Sequence, residues 1–282
     1  MFKKVIFICF FFTNFHFLNA QNWFYKFEDA QKIALTSENF IVIDFWATWC
    51  GPCKTMDKES WSDMEVRNSL SNFTALKIDI DADKDIASRY NINAIPTVII
   101  IDANGKEIFR NVGFMDKYSL KNELKNFSNS TKMINNELQN YFKQKSNENL
   151  LPLILKYFDF SLTVSEKLNP KIINTAGDYV LDYKKNINKK DKNAVAEFQK
   201  VELLKLFTDV YYKKFEKVAK KLSKDFVETE IEQSNLEIYN FLKLVSIKST
   251  KSETKTTEEI ALEKSITTEF INKINVLFSE KQ

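Results

Sequence analysis

The feature that most constrains the fold is an apolar run, Phe40–Trp46, followed almost directly by the pentapeptide Trp49-Cys50-Gly51-Pro52-Cys53. The run predicts a buried strand, and the cysteine pair lies just past it, at the start of a predicted helix. A disulfide that closes so short a loop removes little entropy from the unfolded chain and adds little stability. Free N–H groups at a helix start also stabilise a thiolate. The cysteine pair therefore indicates reversible redox chemistry.

The first twenty residues have the pattern of a secretory signal peptide. Met1-Phe2-Lys3-Lys4 is basic, Val5–Leu18 is largely apolar, and Asn19-Ala20 places a small residue before Gln21. A membrane anchor is the alternative, but the apolar stretch is short and polar residues interrupt it. We expect cleavage near Ala20 and export of the mature chain, to the periplasm if the source is bacterial.

Cleavage would remove Cys9 and His16, which is the only histidine, and leave Cys50 and Cys53 as the only cysteines. A structural zinc site needs about four Cys or His ligands, so the mature sequence predicts no such metal site. It also predicts no cofactor beyond the redox-active disulfide itself. The net charge of +3 falls to +1 when the two lysines of the segment leave. So small a charge gives no support for nucleic acid as a partner.

Composition divides the rest of the chain near residues 127–131. All four tryptophans and three of the four glycines precede residue 130, whereas Asp178–Gln282 contains neither glycine nor proline. The first part therefore has turns and mixed elements, and the second is expected to be helical. We predict a signal peptide at 1–20, an α/β domain at 21–129 and an all-α domain of unknown role at 130–282.

Hydrophobic periodicity gives the elements of each part. In the first part, strands are predicted at Phe40–Trp46, Phe73–Ile80 (with alternating apolar residues), Thr97–Ile101 and Glu107–Val112. Helices are predicted at Phe27–Leu35, Ile86–Tyr90 and Lys117–Phe127. A further helix is predicted to run through the cysteine pair and to break at Trp61-Ser62-Asp63. This order predicts a central mixed sheet flanked by helices. In the second, apolar residues recur at three- and four-residue steps from Val195 to Leu222 and from Leu262 to Ile274, as amphipathic helices do.

Three residues are the candidate catalytic groups. Cys50 is expected to be the exposed attacking thiol, and Cys53 the more buried thiol that resolves a mixed disulfide. Asp44, in the middle of an apolar strand, could take the proton of Cys53, because burial raises a carboxyl pKa. The alternative is an Asp on the solvent edge of the strand. Lys77, on the next strand, is either the partner of Asp44 or a plain surface lysine.

A proline and a glycine mark a second candidate segment. Ile95-Pro96-Thr97 precedes a predicted strand, where a proline that cannot donate to the sheet is tolerated and a cis bond is plausible. Such a proline would leave backbone groups free to pair with an extended peptide. Gly113 would let another backbone approach the same groove.

Taken together, Asp44, the pentapeptide with Lys54 after it, Lys77 and Ile95-Pro96-Thr97 resemble the thioredoxin family in order and spacing, over residues 25–127. Two further stretches, Lys58–Val66 and Val112–Asp116, look more like the C-terminal thioredoxin-like domain of the thiol:disulfide interchange protein DsbD. The resemblance implies a thioredoxin fold and the catalytic roles given above. It further implies a substrate surface formed by Trp49, Gly51, Pro52, Ile95, Pro96 and Gly113. It says nothing of the helical part.

The resemblance implies protein or peptide disulfides as substrates. The Gly51-Pro52 pair lacks the histidine that stabilises the thiolate in oxidants, which favours a reductant. An exported reductant needs a membrane electron donor, of the thiol:disulfide interchange type. Two alternatives remain open: a disulfide isomerase or oxidase that uses the same residues, and a binding protein whose helical half captures a client or partner.

Overall fold

The computed structural model describes residues 23–127, 130–250 and 256–279. The predicted signal peptide lies outside these ranges. In the described part, the sheet consists of β1 (Phe40–Trp46), β2 (Phe73–Asp79), β3 (Thr97–Ile101) and β4 (Glu107–Val112), in the order β2-β1-β3-β4. β1 runs parallel to β2 and antiparallel to β3, and β4 runs antiparallel to β3. The predicted mixed sheet is confirmed.

Helices connect and flank the strands: α1 (Phe27–Ser37), α2 (Gly51–Met56) with a π-helical turn (Asp57–Trp61) after it, α3 (Met64–Leu70), α4 (Lys84–Arg89) and α5 (Lys117–Asn126). Aspartate side chains cap the N-termini of two of them, α3 and α5. The Asp63 carboxylate accepts the N–H of Glu65 (2.9 Å), and the Asp116 carboxylate accepts that of Tyr118 (2.8 Å). Each bond satisfies an N–H that the first helical turn leaves free. The predicted break before α3 is therefore confirmed.

The expected alternation along β2 is wrong. Phe73, Thr74, Ala75 and Leu76 are all buried in succession. The reason is that α1 and α3 both pack against this strand, so neither of its faces is left to solvent over the first four residues. An alternating sequence therefore did not mean a half-exposed strand here.

The second part is helical, as predicted, with α6 (Asn135–Lys143), α7 (Asn147–Ser161), α8 (Asn169–Lys185), α9 (Ala194–Tyr211), α10 (Phe215–Asp225), α11 (Leu236–Lys248), α12 (Thr257–Lys264) and α13 (Thr268–Phe278). From α6 to α12 each helix packs on the next. Of the predicted apolar stripe, Leu204 and Val218 are fully buried, but Val195 is 70% exposed at the start of α9. Among the described helices, none has the length and apolar character needed to cross a membrane.

The two parts share one apolar core rather than meeting at a polar boundary. Phe40 of β1 contacts Phe127 and also Phe160 of α7, with ring centroids 5.7 and 6.3 Å apart. The side-chain amide of Asn135 in α6 donates to the carbonyl of Leu35 in α1 (3.0 Å). The division after residue 129 remains a sequence-based prediction, but the structure packs both sides of it together.

A buried carboxylate joins the β3–β4 turn to the helical part. Asp102 is fully buried, and its Oδ1 accepts the backbone N–H groups of Asn104 (2.8 Å) and Lys106 (2.9 Å). Its Oδ2 accepts the hydroxyls of Tyr157 in α7 (2.6 Å) and Tyr179 in α8. A buried carboxyl group needs hydrogen-bond donors in place of the water that it loses. The helical part therefore completes the hydrogen bonding of a turn in the α/β part.

We predict that Tyr157→Phe and Tyr179→Phe each lower the free energy of unfolding by about 1–3 kcal/mol, because each leaves part of a buried carboxylate without a donor. Urea unfolding of the full chain measures this. Tyr25→Phe, at a side chain that is 63% exposed, is the control. Equal stability of all three variants and the wild type would contradict this account of Asp102.

Candidate active site

The cysteine pair lies where β1 passes into α2. Cys50 is the residue before the first helical turn, Pro52 lies within that turn, and Cys50 and Cys53 form a disulfide with Cα atoms 5.3 Å apart. The sulfur of Cys50 accepts the backbone N–H of Cys53 (3.2 Å). A sulfur in this position receives the helix N–H groups that stabilise a thiolate after reduction. The predicted helix start at the cysteines is confirmed.

The predicted exposure of Cys50 is wrong for the oxidised protein. Cys50 and Cys53 are each only 3% exposed. They pack with Ala47 in a small apolar cluster that Trp46, Ile80 and Ile95 border. Closing the disulfide turns the Cys50 sulfur towards its partner, and these apolar groups cover what remains. Both cysteines are therefore almost fully buried in the oxidised protein.

The predicted substrate-surface residues next to the cysteines are open to solvent. Gly51 and Pro52 are exposed, and a Cβ on Gly51 would have no neighbour within 4 Å. Trp49 is 66% exposed, and its indole N–H donates to the carboxylate of Asp81 (2.8 Å). Asp81 was not predicted; it fixes the orientation of an exposed ring beside the disulfide.

The proline segment lies across from the thiols as expected. The Ile95–Pro96 peptide bond is cis, and Ile95 is half-buried against the cysteine cluster. Pro96 itself is buried, and its place on the substrate surface stays a prediction. Its carbonyl accepts the N–H of Gly113 (2.8 Å). In the described part of the chain, the N–H and C=O of Ile95 pair with no other backbone group.

Gly113 follows β4 with a φ of +100°, a backbone conformation that residues other than glycine rarely adopt. A Cβ there would meet nothing within 4 Å. Backbone conformation, not lack of room, therefore requires this glycine. The space above it is open to an approaching chain.

The two stretches noted for their likeness to DsbD lie against each other. The hydroxyl of Ser60, in the π-helical turn, donates to the carbonyl of Met115 (2.7 Å), and both residues are buried. This bond ties the loop after Gly113 to the helix that begins at the cysteines.

Asp44 lies inside the protein, not on the solvent edge. It is 2% exposed, on β1, two residues before the Trp46 that borders the cysteine cluster. Burial raises the pKa of Asp44 to about 6 from an ordinary 3.8, against the opposing effect of the Lys77 ammonium. A carboxyl with this pKa can exchange protons near neutral pH, whereas an ordinary aspartate is a much weaker base.

Lys77 is the partner of Asp44. Its Nζ is 3.1 Å from Asp44 Oδ2, and its side chain is only 11% exposed, so it is not a plain surface lysine. The same ammonium also contacts the carboxylate of Asp57, in the π-helical turn. Burial alone would lower the Lys77 pKa, but the two carboxylates together raise it above its ordinary value. The ammonium therefore stays charged between them.

Asp57 is a site residue that the sequence analysis missed. Its charge adds to the rise in the Asp44 pKa, and its side chain is 41% exposed. The available signal was its place four residues after Cys53, on the helix that the pair begins. The π-helical turn there was not foreseen; such turns often occur at functional sites.

The arrangement can carry out thiol–disulfide exchange. It combines a sulfur at a helix start, a second sulfur one turn away and a buried carboxyl of raised pKa on the strand that leads to them. Within the ranges that the structure covers, no three His, Cys, Asp or Glu side chains form a group able to hold a metal ion.

The pKa of Asp44 should make stability depend on pH. The folded protein holds the Asp44 proton up to about pH 6, whereas the unfolded chain releases it near 3.8. The contribution of Asp44 to the stability of the wild type therefore falls as pH rises through this window. We predict that Asp44→Asn, which cannot ionise, gains about 2 kcal/mol of stability relative to wild type between pH 4 and pH 8.

Urea unfolding at the two pH values measures the difference in stability. The oxidised protein is used because disulfide-bonded cysteines do not titrate. Asp29→Asn, on the exposed side of α1, is the control and should show no comparable gain. A pH-independent effect of Asp44→Asn would refute the raised pKa.

The chain is similar to known thiol–disulfide exchange proteins over the part that contains the cysteine pair. A family model described as thioredoxin matches residues 21–126. Thioredoxin of Mycoplasma genitalium is 39% identical over 77 residues, which cover 27% of this chain and 72% of the relative. The thiol:disulfide interchange protein DsbD of Pectobacterium atrosepticum is 33% identical over 106 residues, or 36% of this chain and 18% of that protein.

Among solved structures, the oxidised C-terminal domain of DsbD from Neisseria meningitidis is 21% identical, with a TM-score of 0.34; the match covers 38% of this chain and 99% of that domain. The family match ends at residue 126, before the helical part. The chain belongs to the thioredoxin family, as a redox protein with the cysteine pair Cys50–Cys53.

Proposed function

We propose that this protein is an exported reductase of protein or peptide disulfides, with Cys50 and Cys53 as its dithiol. The observation that carries the proposal is the disulfide at the start of α2, backed by the buried Asp44–Lys77 pair. Homology to thioredoxins and to DsbD supports thiol–disulfide exchange as the chemistry.

In the first step, the thiolate of reduced Cys50 attacks one sulfur of the substrate disulfide. A new S–S bond joins Cys50 to the substrate, the substrate S–S bond breaks, and one substrate sulfur leaves with the electron pair. The N–H groups at the start of α2 stabilise the attacking anion.

In the second step, Cys53 gives its proton to the Asp44 carboxylate and attacks the Cys50 sulfur. The Cys50–Cys53 bond forms, the mixed disulfide breaks, and the second substrate sulfur is released as a thiolate that takes up a proton. Two electrons have then passed to the substrate, and the protein ends in the oxidised form that the structure shows.

Substrate binding would use the open surface around the disulfide. Trp49 is exposed beside it, and the free backbone groups of Ile95 could pair with an extended peptide, as peptides do with unpaired strand edges. The open space at Gly51 and Gly113 leaves room for a second backbone.

Export rests on the first twenty residues, and it implies a further partner. Each cycle oxidises the protein, so a donor must return two electrons to Cys50 and Cys53. Outside the cytoplasm we propose a membrane protein of the thiol:disulfide interchange type in this role.

We predict that the protein, isolated from a periplasmic extract, reduces insulin with dithiothreitol as electron source. Cys50→Ser should abolish the activity because it removes the nucleophile. Cys53→Ala should instead accumulate mixed disulfides, because nothing resolves them. Insulin precipitation measures the activity, and non-reducing electrophoresis measures the mixed disulfides. The N-terminal residue of the isolated protein shows whether the signal peptide is cleaved near Ala20. An inactive wild type would end the proposal.

The direction of electron flow is decided by the reduction potential. With glycine and proline between the cysteines, we predict a Cys50–Cys53 potential at or below that of the glutathione couple, measured by equilibration in glutathione buffers. A value well above it would favour the oxidase or isomerase alternative.

A client-binding function of the helical part is the second candidate. The observation in its favour is an open groove of about 670 Å³ beside α9 and α10, whose apolar residues include Phe198, Leu206 and Phe226. Full cellular function of the Cys50→Ser full chain would favour binding over catalysis.

A further inference from the structure

Trp23 lies just before a short backbone connection to β2. The N–H of Phe24 donates to the carbonyl of Ala75 (2.8 Å), and the N–H of Lys77 donates to the carbonyl of Phe24 (2.9 Å). Phe24 forms a parallel bridge with Leu76 through these bonds. The segment before α1 therefore holds Trp23 beside the strand that carries Lys77.

Indole rings surround the Lys77 ammonium. Its Nζ lies 5.1 Å from the centroid of the Trp23 ring and 5.7 Å from that of Trp46. Trp61, in the π-helical turn, meets Trp23 edge-on, with ring centroids 5.1 Å apart. An ammonium within about 6 Å of an indole centroid is attracted to the ring. The rings therefore resist movement of the ammonium.

Two carboxylates complete the surroundings of Lys77. Asp44 faces it from β1 and Asp57 from the π-helical turn, and these are the charged groups that face it from the described elements packed against it. Asp57 is 41% exposed, whereas the Asp44 side chain is 3% exposed. A lysine has a long flexible stem, so its ammonium could follow Asp57 outward and leave Asp44 without a counter-charge.

We propose that Trp23 is a positioning residue for disulfide exchange, whose ring holds the Lys77 ammonium against Asp44, the acceptor of the Cys53 proton. The inference rests on the proposed function. A buried carboxylate without its ammonium is harder to ionise. It would then be protonated when Cys53 needs an acceptor, and resolution of the mixed disulfide would slow down.

The test is a 13C NMR titration of the Asp44 carboxyl in the oxidised full-length protein. Trp23→Leu keeps an apolar side chain but removes the ring, and should raise the Asp44 midpoint by about one pH unit. Trp23→Phe keeps a ring face and should restore most of the wild-type midpoint. In a Lys77→Met background, Trp23→Leu should have no further effect, because the ring acts through the ammonium.

Tyr25→Leu is the matched control, since Tyr25 lies in the same segment but is 63% exposed; the Asp44 midpoint should not move. An unchanged or lowered midpoint in Trp23→Leu, or a shift that persists without Lys77, would overturn the proposal. Failure to reduce insulin would defeat the proposed function without altering this titration. An unmoved midpoint in an active reductase would defeat only the role of Trp23.

Discussion

The burial of β1 is the constraint on which the rest of the structure depends. From Phe40 to Phe45, no residue of the strand is more than 2% exposed. Such a strand needs a neighbour on each edge and cover on each face, and the sheet with its helices supplies both. The same burial desolvates Asp44, and the end of the strand at Trp46 determines where the cysteine pair begins. The burial of β1 thus underlies the fold, the position of the cysteine pair and the raised pKa of Asp44.

Elements with strong local signals could be predicted from the sequence. The bounds of β1 and β3 follow from a continuous apolar run and from the β-branched run Thr97–Ile101, and both match the structure. The start of α3 follows from the capping aspartate Asp63. The Asp44–Lys77 pair could also be predicted, because parallel pairing of two predicted strands places those residues opposite each other.

Features that depend on distant contacts could not be predicted in this way. Lys77 meets Asp57 across 20 residues, and Tyr179 meets Asp102 across 77. Nothing local in the sequence shows that Lys77 contacts two carboxylates or that Asp102 accepts two tyrosine hydroxyls. The prediction that Cys50 is exposed was wrong for the same reason. The motif predicts a helix start, but Ile80 and Ile95, which border the cysteine cluster, come from other segments.

The strand β3 explains how the helical part can pack on the sheet without blocking the thiols. At one end, beside the cysteine cluster, it follows Ile95 and Pro96; at the other it leads to Asp102, which binds the tyrosines of α7 and α8. Six residues of extended chain separate these ends by about 20 Å. The helical part therefore anchors at the end of the sheet remote from the disulfide. An anchor at the other end would have covered the exposed residues Trp49, Gly51 and Pro52, so this architecture leaves the disulfide end of the sheet free for the substrate binding proposed above.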